Sequence, residues 1–134
     1  MTIIEKAEFF ARWVHRDQKR RDGKTPYIIH PQAVMKMLHD DDYVKAVAWL
    51  HDVLEDTTFT QQDLIPLNFP VEVVEAVKVL TRTKDVPYEE YLKHVKRNTI
   101  ARYVKIADML HNLCDKPTDS QKEKYKQGIL FLCS

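Results

Sequence analysis

Residues 43–57 read YVKAVAWLHDVLEDT, and the fold turns on this stretch. Val44, Ala46, Val47, Ala48, Trp49, Leu50, Val53 and Leu54 leave a helix over residues 43–54 with almost no polar side. A helix that is apolar all round belongs at the centre of a domain. Into its end fall His51, Asp52, Glu55 and Asp56. In a helix, His51 and Glu55 are i,i+4 neighbours, as are Asp52 and Asp56, so two polar rows lie side by side. Carboxylates in such a setting need compensation, because buried charges are paired or bound to metal.

Two other segments place polar residues where apolar ones belong. In residues 105–112, KIADMLHN, Lys105, Asp108 and Asn112 share a face at i, i+3 and i+7, while Val104, Ala107 and Leu110 fill much of the rest. Upstream, residues 19–29 (KRRDGKTPYII) break the helical pattern with the turn signals Asp22-Gly23 and Thr25-Pro26. Pro31 then suits the first position of a helix and fixes His30 at its entrance. Together His30, His51, Asp52 and Asp108 offer two imidazoles and two carboxylates, a set suited to Mn²⁺, Fe²⁺ or Zn²⁺, with Mg²⁺ also compatible. Such an ion lowers the pKa of its water, and Glu55 and Asp56, one turn on, would orient that water or shuttle its proton. Taken singly, each feature reads equally as a core histidine or a solvated acidic face. Spacing alone does not bring the three segments together.

The rest of the chain reads as helix. Thr2 and Glu5 form a capping box for a helix over residues 2–18. A short helix is expected near Asp63–Leu67, with longer ones over 71–82, from Pro87 onward and over 99–114. Asp119-Ser120 with Glu123 is the expected cap of a last helix to residue 132. Trp13 and Trp49 are both expected in the core. The chain holds only two glycines in 134 residues, far below the ~7% of average usage, which disfavours a turn-rich sheet protein. The expected architecture is one all-α domain over residues 1–134, with six to eight helices.

Composition also excludes function classes. The net charge is +1, so no global basic field points to nucleic acid. Cys114 and Cys133 match neither a disulfide framework nor a paired metal spacing. No stretch approaches the ~18 apolar residues of a membrane span, and the N-terminal segment does not resemble a signal peptide. A soluble, reducing, cytoplasmic setting is expected, with no nucleic-acid or membrane partner. A homo-oligomer is compatible with this reading.

ARWVHRDQKRRDGKTPYIIHP (11–31), WLHDVLEDT (49–57) and VKIADMLHNL (104–113) together resemble the hydrolase domain of the RelA/SpoT alarmone enzymes, and most of all the small stand-alone alarmone hydrolases. The resemblance covers nearly the whole chain. It implies the HD-domain metal-dependent phosphohydrolase fold, with a Mn²⁺-type ion held by His30, His51, Asp52 and Asp108. It places Glu55 and Asp56 on the catalytic Glu-Asp pair and Asn112 on the active-site asparagine. Arg20 falls in the basic segment that contacts the nucleotide, with Arg21 and Lys24 beside it, and Lys105 lines the phosphate side. The implied reaction removes the 3′-pyrophosphate of (p)ppGpp, giving GDP or GTP and pyrophosphate. The rival readings are an HD-type phosphohydrolase acting on ppApp, NADPH or a nucleoside phosphate, and a catalytically silent metal-binding module.

Overall fold

The structure, a computed structural model, describes residues 1–55 and 57–134. Among these the chain forms α1 (Ile3–Val14), α2 (Ile29–Met37), α3 (Asp42–Leu50), α4 (Gln61–Leu64), a single 3₁₀ turn (Ile65–Leu67), α5 (Val71–Leu80), α6 (Tyr88–Arg97), α7 (Thr99–Leu113) and α8 (Asp119–Cys133). No described residue belongs to a strand, and Lys19 and Pro26 form one isolated bridge. No helix is long and apolar enough to cross a membrane.

Side-chain caps set several helix starts. Thr2 and Glu5 form the expected capping box on α1, and the Asp41 carboxylate accepts from the amides of Tyr43 and Val44 to start α3. Asn98 caps α7 by accepting from Ala101. The last cap differs from expectation: Thr118, in extended backbone after Pro117, accepts from Gln121 in a capping box, and Asp119 becomes the first helical residue.

As its composition demands, α3 is central. Val44 and Ala46 through Leu50 are buried, and α3 packs against α1, α2, α5 and α7. Helix α7 is the second axis, touching α2, α3, α5, α6 and α8. Helix α8 comes so close to it that a Cβ on Gly128 would lie 2.8 Å from Met109 Cε, which explains a glycine inside a helix.

Four further expectations need correction. The central helix stops at Leu50 instead of Leu54. Beyond it the chain tightens into three-residue turns, with Val53 N–H donating to Leu50 O and Glu55 N–H to Asp52 O. Polar side chains take up carbonyls there: His51 Nδ1 donates to Ala48 O at 2.7 Å and Thr57 Oγ1 to Val53 O at 2.6 Å. His51, Asp52 and Glu55 therefore do not stand in rows on a regular helix. Helix α1 ends at Val14, with His15 at its C-cap. Trp13 is 48% exposed, its ring covered by Phe59 and the Arg16 guanidinium, whereas Trp49 is 1% exposed. Helix α2 begins at Ile29, so Pro31 is its third residue. The missing proline N–H costs nothing in a first turn whose amides have no helical partner.

Candidate active site

His30 projects from the first turn of α2, His51 and Asp52 from the turn that ends α3, and Asp108 from α7. One ligand atom from each of the four lies within 4.8 Å of all the others. His30 Nε2 is 2.7 Å from Asp108 Oδ1, and His51 Nε2 lies 3.3 Å from Asp108 Oδ1 and 3.0 Å from Asp52 Oδ2. His30, His51 and Asp108 are buried.

Outer contacts orient these ligands. The His51 Nδ1–H bond to Ala48 O leaves Nε2 facing the carboxylates. His30 Nδ1 pairs with His111 Nδ1 at 2.7 Å, so its Nε2 is likewise turned inward. Tyr27 donates its hydroxyl hydrogen to Asp52 Oδ2. Lys105 Nζ donates to Asp108 Oδ2 at 3.0 Å, and Asn112 Nδ2 donates to Asp108 Oδ1 at 3.4 Å.

Electrostatics keep the carboxylates ionised. Burial opposes the charge on Asp108, but Lys105 and the two histidines outweigh it and hold its pKa well below the usual carboxylate range. Asp52 is lowered in the same way: burial resists and His51 prevails. Burial likewise resists a charge on His51, yet Asp52 and Asp108 raise its pKa well above the ordinary histidine value. Two ionised carboxylates and two inward imidazole lone pairs fit a divalent cation, which would displace the proton that His51 otherwise carries. Glu55 is pushed the other way, up to about 7, by burial and then by the Asp52 charge.

This centre opens into a cavity of about 300 Å³. Five cations face it (Arg20, Arg21, Arg82, Lys105 and Lys124) against three carboxylates, Asp52, Glu55 and Asp108. Arg20 is clamped by Asp115 Oδ2 at 2.6 Å and by Asn112 Oδ1 at 3.2 Å. Arg21 reaches α8, donating to Gln121 Oε1 at 2.7 Å. The ammonium of Lys124 is destabilised by burial and by the nearby charges of Lys105 and Arg82.

The structure thus gathers His30, Asp52, Asp108, Glu55, Asn112, Arg20, Arg21 and Lys105 around one cavity, with His51 buried beside Asp52 and Asp108. Lys24 is exposed and outside its lining, because the Asp22 carboxylate captures the Lys24 and Thr25 amides and turns the loop outward. Asp56 lies outside the described residues. Arg82, Lys124 and Tyr27 escaped the sequence reading. Tyr27 sits within the PYIIHP motif, and its position there was the available signal. Arg82 and Lys124 lie in polar stretches with no pattern to single them out.

No family model matches the chain. The guanosine-3′,5′-bis(diphosphate) 3′-pyrophosphohydrolase MESH1 of Xenopus tropicalis is 39% identical over 124 residues, covering 84% of this chain and 68% of that protein. The Homo sapiens protein of the same name is also 39% identical over 124 residues, with the same coverage of 84% and 68%. A GTP pyrophosphokinase rsh from Brucella melitensis is 34% identical over 125 residues; the match covers 83% of this chain and 16% of that much longer protein. A solved structure described as a metazoan orthologue of SpoT that hydrolyses ppGpp and plays a role in starvation responses matches with a TM-score of 0.79 at 26% identity. It covers 98% of this chain and 85% of that one.

Proposed function

The chain belongs to the RelA/SpoT-type HD-domain hydrolases, with small stand-alone alarmone hydrolases among its relatives, and we propose that it removes the 3′-pyrophosphate of (p)ppGpp in the cytoplasm. The observation that carries this reading is a two-histidine, two-aspartate centre, buried but for a partly exposed Asp52, at the base of a cavity rimmed by surplus cations. A divalent ion bound there, Mn²⁺ in our reading, supplies water of lowered pKa and offsets charge at the phosphoryl oxygens. His30, His51, Asp52 and Asp108 would hold it. Arg82, Lys105 and Lys124 suit a substrate with several phosphate oxygens, since an anion relieves their mutual repulsion. Arg20, held rigid by Asp115 and Asn112, orients the nucleotide. Glu55 takes a proton from the attacking water. Water oxygen bonds to phosphorus, the bond to the ribose 3′-oxygen breaks, and that oxygen takes up a proton to leave as the 3′-hydroxyl of GDP or GTP, while the proton held by Glu55 returns to solvent and pyrophosphate departs.

Two outcomes follow from the residue roles. With Glu55 as base, the ionised form is active, so kcat/KM rises about tenfold per pH unit below about 7 and levels above it. Glu55→Gln lowers kcat about 10²-fold, erases that acid limb and leaves bound metal unchanged; a preserved limb would assign it to another group. Arg82→Ala raises KM for ppGpp about tenfold with kcat nearly constant, because the guanidinium holds phosphate before and during the reaction alike. An unchanged KM would remove Arg82 from the phosphate site.

The function is tested by incubating the purified protein and Mn²⁺ with ppGpp, pppGpp, ppApp, NADPH and simple nucleoside phosphates, and separating the products. Pyrophosphate released from ppGpp and pppGpp at the highest kcat/KM is expected. Preference for another member of the panel would keep the centre and change the substrate.

A further inference from the structure

A second cavity, of about 280 Å³, adjoins the metal centre and is lined by His15, Gln18, Lys19, Tyr27, Asp52 and Glu55. It shares Tyr27, Asp52 and Glu55 with the cationic cavity and no other described residue. Asp52, a ligand, and Glu55, the base, therefore line both cavities. One is rich in cations. The other has a single cation, Lys19, which is exposed to solvent.

His15 is the unexplained residue in this second compartment. It is 2% exposed. Its Nδ1 bonds to Gln18 Oε1, and its ring lies 4.8 Å from that of Tyr27, centroid to centroid. An amide oxygen only accepts, so Nδ1 carries the proton and Nε2 presents a lone pair. That Nε2 is buried and has no hydrogen-bond partner among the described residues. Burial lowers the His15 pKa, which keeps the ring neutral and the lone pair available. His15 Nε2 and the Asp52 and Glu55 carboxylates are all acceptors. A water molecule, with two hydrogens to give, matches them, and a cavity of this size has room for several at ~30 Å³ each.

We propose that this cavity is the water side of the active site, with His15 as a positioning residue that holds water through Nε2 beside Asp52 and Glu55 while the nucleotide fills the cationic cavity. The proposal rests on the hydrolase reading above. Each turnover consumes one water, and displacement at phosphorus sets the attacking and leaving oxygens roughly in line. A nucleotide that occupies one compartment leaves the other as the route for replacement water. Tyr27, tilted at 45° against the His15 ring and bonded to Asp52, links the imidazole to the ligand it serves.

The test compares His15→Phe and His15→Gln with the parent protein, all loaded with Mn²⁺. Kinetics on ppGpp, bound metal per chain, the unfolding midpoint and a high-resolution crystal structure of the parent are the readouts. His15→Phe is expected to lower kcat about 10–100-fold with KM and bound metal unchanged, and His15→Gln, which keeps an acceptor, to regain most of the rate. The crystal structure is expected to show ordered water within hydrogen-bond distance of His15 Nε2. The proposal is overturned by full activity in His15→Phe, or by a rise in KM, which would place nucleotide in this cavity. Equal loss in both variants in step with the unfolding midpoint would make His15 purely structural and also overturn it. If the parent protein turns over none of the nucleotides, the hydrolase reading fails, and ordered water on Nε2 or its absence still decides the cavity's content.

Discussion

Asp52→Ala is expected to lose ppGpp hydrolysis by more than about 10³-fold and most of its Mn²⁺ affinity. Asp52 Oδ2 lies 3.0 Å from His51 Nε2 and 3.9 Å from His30 Nε2, so it closes the ring of donors on one side. Removing it leaves two imidazoles and a single carboxylate, and it frees the Tyr27 hydroxyl from its acceptor. Its charge also raises the Glu55 pKa. Any residual activity should therefore show its acid limb shifted to lower pH. Metal titration and steady-state kinetics on the same preparation check this. Parent-like turnover in Asp52→Ala would remove Asp52 from the metal ligands.

Asp108→Ala is expected to destabilise the metal-free protein by about 1–3 kcal/mol, because it strands a half-buried cation. Asp108 accepts from Lys105 at 3.0 Å, with His30 2.7 Å away and His51 3.3 Å away. Burial disfavours a charge on Lys105, and Asp108 is what holds it protonated. Without that carboxylate the ammonium is left with the Tyr91 ring, 5.5 Å away, and the Asp52 charge. The pH dependence has a definite sign. Asp108 is held well below the usual carboxylate range in the folded protein, so its contribution is full above the unfolded value of ~4 and fades as pH falls toward the folded one. The parent should therefore lose stability in acid along a limb that Asp108→Ala lacks. Urea unfolding in chelator across pH measures both. Combining Asp108→Ala with Lys105→Met should recover much of the loss, which isolates the pair from mere packing. A loss below about 1 kcal/mol at neutral pH would show that Lys105 finds another partner.

The sequence and the structure agree most where periodicity speaks for burial. The apolar run of residues 44–50 is the central helix, and the Thr2-Glu5 box starts the first one. Periodicity could not show where α3 stops, because that depends on which side chains take the carbonyls of Ala48 and Val53. It also could not expose Trp13, whose cover comes from Phe59 and Arg16 and not from the core. His30, His51, Asp52 and Asp108 were conspicuous as polar residues in apolar company, but their meeting depends on α2, α3 and α7 packing together. Arg82 and Lys124 follow α5 and lie on α8, in segments where a charged residue is ordinary. Only the tertiary fold turns them toward Lys105. Lys24 shows the reverse: the basic loop is continuous in sequence, but the Asp22 turn carries its last member away from the cavity.

In the proposed function, the two-histidine, two-aspartate centre hydrolyses the 3′-pyrophosphate by attack at phosphorus. The most direct measurement is single-turnover hydrolysis of ppGpp by the Mn²⁺-loaded protein in ¹⁸O-labelled water, with both products analysed by mass. GDP without label and pyrophosphate carrying one labelled oxygen are expected, with no products after metal chelation. Label in the nucleotide, release of single phosphates, or undiminished turnover in chelator would contradict that reading.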